Sequence, residues 1–175
     1  MNHASVRRLA VCGLIAAVYV VLSVALAPIT FGSLQFRVSE ALTLLPIFSP
    51  YAIMGVTLGC LLSNLIGVAM NLTPVVDVVF GTLATLLAAV ATWALRNVRF
   101  RGLPLAAALP PILINMVVIG WEIAFFFLPG QAFWPGFWAS ALGVGLGQLA
   151  ACGVLGLLLV TALEKTGAHR LLLDL

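Results

Sequence analysis

Charge is what this chain has least of. Only 7% of its 175 residues are Asp, Glu, Lys or Arg, while 63% are hydrophobic. A soluble domain carries about 25% charged residues, so the composition excludes one and describes an integral membrane protein. Lysine is nearly absent. Lys165 is the only one, and no G-x-x-x-x-G-K-[ST] loop exists to cradle phosphates, which excludes ATP hydrolysis by that route. The two histidines, His3 and His169, are both terminal, so there is no H-E-x-x-H zinc motif and no Ser–His pair inside an apolar stretch. Cys12, Cys60 and Cys152 stand far apart without a C-x-x-C, and read as small buried residues of packed helices. No basic run interleaved with aromatics points to nucleic acid. These absences leave a binder or carrier that is not an enzyme and calls for no cofactor or metal.

What the chain does have is apolar runs. A helix needs about twenty apolar residues to cross a bilayer. Runs at 6–27, 34–48, 51–70, 74–95, 103–127 and 137–163 predict an all-α integral membrane protein of six transmembrane helices in one domain, 1–175. Basic residues open the first run, but no small-residue cleavage site follows, so it reads as a retained helix. In the break at Asn71–Pro74, Thr73 suits an N-cap and Pro74 a first helical position. The run 34–48 is the weakest, because at about 1.5 Å per residue it falls short of a core of about 30 Å.

Charge placement favours six crossings. Arg7 and Arg8, the loop with Arg96, Arg99 and Arg101, and the tail with Lys165 and Arg170 then share one side, and only Arg37 falls outside it. By the positive-inside rule that side is the cytoplasm, which holds both termini. Five crossings would split the clusters.

Three of the five carboxylates, Glu40, Asp77 and Glu122, interrupt apolar runs. A charge in the bilayer core costs at least about 2.5 kcal/mol, and such residues commonly face a cavity on a substrate or ion path. The topology places Glu40 and Asp77 near the outer starts of helices two and four, and Glu122 about a turn and a half from the outer end of helix five. Asn64 falls in the outer half of helix three, Asn115 near the middle of helix five and Gln148 midway down helix six. One outward-opening pocket between helices two to six is expected. Simpler readings stand beside it. Arg37 and Glu40 have the spacing of an ion pair on a helix end, and Asp77 suits the helix dipole. Glu122, between Trp121 and Ile123, has neither excuse. Asn64, Asn115 and Gln148 equally suit hydrogen bonds between helices. Trp121, Trp134 and Trp138 suit an interfacial belt or stacking on a flat ligand. Ala10, Gly13 and Ala17 form a stripe of small residues on helix one that admits a close neighbour, within the chain or on another subunit.

The stretch from Phe31 to Pro46 (Phe31-Gly32-Ser33-Leu34-Gln35-Phe36-Arg37-Val38-Ser39-Glu40-Ala41-Leu42-Thr43-Leu44-Leu45-Pro46) resembles the QueT family. These are substrate-binding S components of energy-coupling factor (ECF) transporters. The likeness continues through Gly59-Cys60, Ser63-Asn64, Asp77 and Phe80 to Leu86, and is weaker after Arg96. Gln148 stands where a Glu would be expected in this family, keeping hydrogen bonding without the charge. The resemblance implies a six-helix S component in a bacterial cytoplasmic membrane. It would capture a queuosine precursor, a deazaguanine or queuine, from outside. It would then dock, through Ala10, Gly13 and Ala17, on a transmembrane coupling subunit driven by two ATPase subunits. The implied ligand contacts are Glu40, Asp77, Glu122, Asn64, Arg37, Gln148, Asn115 and Phe36. A carboxylate accepts two hydrogen bonds from a guanine-like N–H edge, a second pairs with an ammonium, and Phe36 or a Trp stacks on the ring. The alternatives are an S component for another vitamin-like ligand, kept open by Gln148, and a stand-alone proton-coupled carrier.

Overall fold

The computed structural model describes residues 3–30, 36–128, 130 and 132–173. Helices α1 (His3–Ala25) and α2 (Ala27–Thr30) are followed by a 3₁₀ helix (Val38–Ile47), α3 (Tyr51–Ala69), α4 (Val76–Ala94) and α5 (Leu105–Phe126). Then come α6 (Phe133–Gln148), a π-helical stretch (Leu149–Gly156), α7 (Leu157–Thr166) and the short α8 (Arg170–Leu173). Among the described residues there is no strand, only an isolated bridge between Phe100 and Leu103. Five stretches are long and apolar enough to cross a membrane: Ser5–Ala25, Tyr51–Ala69, Val76–Ala94, Leu105–Phe126 and Phe133–Thr166. Large apolar side chains such as Leu14, Leu58, Leu87, Leu113 and Leu146 point outward from these helices. Burying that outer surface requires lipid, and the chain is a multi-pass membrane protein.

Small residues set the helix crossings. Gly55 and Gly59, a G-x-x-x-G pair, let α1 approach α3 closely: a Cβ on Gly59 would lie 2.6 Å from the Tyr19 Cβ, and one on Gly55 2.9 Å from the Ile15 Cβ. Gly120 does the same between α5 and α6, where a Cβ would meet the Ala141 Cβ at 2.7 Å. Pro110 and Pro111 are tolerated inside α5 because a neighbour compensates. Pro111 has no N–H for the Ala107 carbonyl four residues back, and the Thr92 hydroxyl of α4 donates to that oxygen at 2.9 Å.

Contacts along the chain fix the directions of the elements. Arg8 lies over the Tyr51 ring and the Cys12 thiol donates to the Tyr51 carbonyl, while Tyr19 packs by Gly59, so α1 and α3 run parallel. The 3₁₀ helix runs against α1, with Ser39 beside Ser23 and Glu40 beside Tyr19. It brings the chain back to the level at which α1 began. This differs from the α-helix expected over 34–48; Leu34 and the rest of 31–35 lie outside the described residues. Two features disfavour an α-helix here. Pro46 has no N–H for an α-type bond to Leu42, and the Thr43 hydroxyl takes the Glu40 carbonyl at 2.6 Å. A 3₁₀ helix rises about 2.0 Å per residue, so ten residues reach about 20 Å, further than the same residues in an α-helix. From Ser39 to Ile47 every residue of it is buried. α4 begins at Val76, and Thr73, expected as its N-cap, instead donates to the Asp77 carboxylate.

The basic clusters meet at one end of the bundle. Arg99 pairs with Glu164 at 2.6 Å, and His169 packs on Phe48, close in sequence to the Tyr51 that carries Arg8. The grouping of basic segments expected from the sequence is therefore present in the fold.

Candidate binding site

The interior of this apolar bundle holds four charged residues, Arg37, Glu40, Asp77 and Glu122, none more than 7% exposed as a whole residue. Each is brought there by a different element: the segment before the 3₁₀ helix, the 3₁₀ helix itself, the first turn of α4, and α5. Arg37, Glu40 and Asp77 line a small cavity together with Gly81, Asn115, Ile119, Val144 and Gln148. Its free space of about 10 Å³ admits roughly one water molecule.

Arg37 and Glu40 are not the exposed pair on a helix end that their spacing allowed. Glu40 accepts a 2.5 Å hydrogen bond from the Tyr19 hydroxyl and a longer one from Thr85, both at Oε1, while its Oε2 has no partner. It sits beside the last third of α1 and the middle of α4, deeper than the outer position expected for it, because the 3₁₀ helix carries it into the bundle. The Arg37 guanidinium faces the Asp77 carboxylate at 3.9 Å and the Cys60 sulfur, also at 3.9 Å. Asp77 receives Thr73 as well, so its role extends well beyond the dipole of α4.

The amides are tied into the same frame. Asn64 donates to the Asp77 carbonyl at 2.9 Å, and its Oδ1 has no partner. Its amide nitrogen would lie 2.8 Å from a Cβ at position 81, so glycine is needed there. Asn115 donates to the Pro111 carbonyl at 2.9 Å. Gln148 Oε1 accepts the Cys152 thiol at 3.2 Å, and the same sulfur lies 3.3 Å from the Glu40 carbonyl. Gln148 is the last residue before the π-helical stretch, whose extra residue per turn shifts the side chains that follow; π segments are frequent at functional sites.

Glu122 is fully buried against the Asp77 carboxyl, with which it shares a hydrogen bond when one of the two is protonated; no N–H or hydroxyl donates to its oxygens. It does not form part of the cavity wall; the charged groups acting on it are Asp77 and Arg37. An ionised carboxylate so placed costs several kcal/mol, about, until a donor or cation reaches it. Among the described residues no three His, Cys, Asp or Glu side chains come close enough to hold a metal ion.

Five of the eight residues singled out from the sequence thus share one cavity: Arg37, Glu40, Asp77, Asn115 and Gln148. Asn64 and Glu122 stand next to it through Asp77. Phe36 does not, packing half-buried against the apolar core around Tyr19 and Leu44. Among the described residues no aromatic ring lines the cavity. Trp121, Trp134 and Trp138 are exposed at 38%, 66% and 54%, as a lipid-interface belt requires. Tyr19, Thr85 and Cys60 belong to the polar frame; Cys60 and Thr85 lie in the stretches that resemble the QueT family but were not named as ligand contacts, and Tyr19 was not singled out. The available signal was Tyr19 lying on the same face of α1 as Cys12, Ala16 and Ser23, all turned inward. Ala10, Gly13 and Ala17 lie on the opposite, exposed side of α1, and nothing lies within 4 Å of where a Gly13 Cβ would be.

A buried polar site of this kind in a membrane bundle suits a transporter, and comparison with known proteins gives the family. The family model of the QueT transporter matches residues 9–165. The chain belongs to the QueT family of transporters. It is 40% identical over 75 residues to the queuosine precursor transporter QueT of Lactococcus lactis subsp. cremoris (strain MG1363). That alignment spans 42% of this chain and 41% of the relative, so the chain covers less than half the length of the curated relative it matches. No solved structure matches. The QueT match takes in α1 from Leu9 through nearly all of α7, and therefore every residue of the cavity.

Proposed function

We propose that this chain is the substrate-binding S component of an ECF-type importer that takes up a queuosine precursor, a deazaguanine or queuine. It would work as a single unit in the cytoplasmic membrane with both termini inside. The observation that carries the reading is the buried polar cavity, with open acceptor oxygens on Glu40 and, beside Asp77, on Glu122. A guanine-like ring presents adjacent N–H groups that match a carboxylate with two free lone-pair directions, and the Gln148 amide nitrogen suits a ring carbonyl. With space for about one water, the cavity admits such a ring only when the surrounding helices part. Glu40 and Glu122 would divide the ring edge and an amine, with Asp77, Asn64, Arg37 and Asn115 holding them in place.

The exposed stripe of Ala10, Gly13 and Ala17 supports docking on a transmembrane coupling subunit, which two ATPase subunits would power. Uptake of radiolabelled deazaguanine into cells expressing the chain with and without a coupling module tests this reading. Uptake that persists without the module would contradict it. Such persistence would favour a proton-coupled carrier, a reading supported by the neighbouring carboxylates of Asp77 and Glu122.

A further inference from the structure

A second opening lies at the basic end of the bundle, away from the polar cavity. It is an apolar groove with free space of about 290 Å³, walled by Val11 and Leu14 of α1, Leu159 of α7 and Leu171 of α8, with Leu42 and Leu45 of the 3₁₀ helix as its floor. A 3₁₀ helix is wound tighter than an α-helix, so this element fills less of the space between α1 and α7. The fourth wall comes from a turn. At Gly167, with φ of 75°, the chain leaves α7 in the left-handed conformation and folds back. His169 then rests against the Phe48 ring, with its Nδ1 3.0 Å from the Leu163 carbonyl, and this holds α8 over the groove. The rims stay open, since Leu14 and Leu171 are both 64% exposed. Charge gathers at one end of the groove. Arg7 stands one turn before Val11 and two before Leu14 on the same face of α1, and Arg170 opens α8 next to Leu171. Both are exposed. Among the described residues the one carboxylate at this end, Glu164, is paired with Arg99 at 2.6 Å.

We propose that this groove holds an acyl chain of an anionic phospholipid whose phosphate lies at Arg7 and Arg170. The order of chemistry along the groove is that of a lipid: positive charge at the end of the bundle, then only apolar side chains running inward from Val11. An extended peptide would bring N–H and C=O groups into a groove whose lining side chains are all apolar and offer them no partner. An acyl chain brings none. The guanidinium groups at the mouth match a phosphate, and an anionic headgroup keeps its net charge where a zwitterionic one does not. Val11 lies round α1 from the stripe of Ala10, Gly13 and Ala17, so a lipid held here leaves that stripe uncovered.

Native mass spectrometry of the purified full chain tests this, with the protein released from micelles that contain equal amounts of palmitoyl-oleoyl phosphatidylglycerol and palmitoyl-oleoyl phosphatidylcholine. The two lipids share their chains and differ in charge. Phosphatidylglycerol is expected to be retained about 25-fold over phosphatidylcholine, roughly fivefold for each of two basic residues near a membrane surface. Arg7→Gln combined with Arg170→Gln should bring the two lipids close to equal retention. Ala168→Phe, which puts a ring into the groove, should remove the retained lipid. Glycerol phosphate, a headgroup without chains, should not displace it. Equal retention of the two lipids by wild type, a preference that survives the Arg7 and Arg170 changes, or displacement by glycerol phosphate would each overturn the proposal. So would an Ala168→Phe variant that keeps its lipid but no longer assembles with a coupling subunit, which would give the groove to a protein partner. If Ala168→Phe does not fold, the double arginine variant decides, since both of its changes are on exposed residues.

Discussion

Replacing Gly59 by Ala connects the packing of this bundle to its polar interior. The added Cβ would lie 2.6 Å from the Tyr19 Cβ, 2.9 Å from its Cγ and 3.2 Å from the Ala16 Cα. Ordinary carbon contacts are about 3.5–4.0 Å, so α1 and α3 must separate by roughly 1 Å at this level. Overpacking of this kind costs about 1–3 kcal/mol. Tyr19 also donates the 2.5 Å hydrogen bond to Glu40 Oε1. Moving α1 outward by roughly 1 Å stretches that bond to the limit of useful geometry. Loss of a hydrogen bond to a charged group adds about 1.5–3 kcal/mol. Gly13→Ala is the matched control, since nothing lies within 4 Å of the new methyl group and the same helix gains a better helix former. Thermal unfolding in detergent, followed by tryptophan fluorescence, should show Gly59→Ala well below wild type and Gly13→Ala at or above it. Ligand titration on the same samples should show weakened binding for Gly59→Ala only. Equal melting temperatures for the two variants would refute the close α1–α3 crossing and its link to Glu40.

Three further outcomes follow from other contacts. Thr92→Val removes the donor that compensates Pro111 at the Ala107 carbonyl, and should lower stability by about 1–3 kcal/mol in the same thermal assay. Arg37→Gln leaves Asp77 and Glu122 without their shared cation; the expected loss is about 3–5 kcal/mol, read as poor yield of folded protein, and Arg37→Gln combined with Asp77→Asn should recover part of it. Gly13→Leu puts a bulky side chain on the exposed stripe of α1, so melting temperature and ligand affinity should hold while uptake with the coupling module falls at least about tenfold.

Composition and apolar runs disclosed the class of protein and the boundaries of α1, α3, α4 and α5 to within a few residues. The second run was harder to read. Its apolar character comes from being surrounded by protein on all sides, and Pro46 with the Thr43 side chain draws it into a 3₁₀ helix instead of a lipid-facing α-helix. The same cause misplaced Glu40, whose depth depends on that segment's path. Asp77, Asn115 and Gln148 were legible because a polar residue in an apolar helix needs a reason, and they do meet at one cavity. Phe36 packs on the core away from the cavity, because an aromatic next to a charged residue serves the core as readily as a ligand. Tyr19 was missed because a lone tyrosine in a membrane helix looks apolar until its hydroxyl finds a partner.

The central claim is that the cavity framed by Arg37, Glu40 and Asp77 holds the transported molecule, and the affinity of 7-aminomethyl-7-deazaguanine for wild type and Glu40→Gln tests it most directly. Glu40→Gln keeps the size of the side chain but replaces the open Oε2 acceptor with an amide donor. Binding is predicted to weaken about 10- to 100-fold while the variant remains folded. Unchanged affinity in a folded Glu40→Gln protein would contradict the account and place the guest elsewhere.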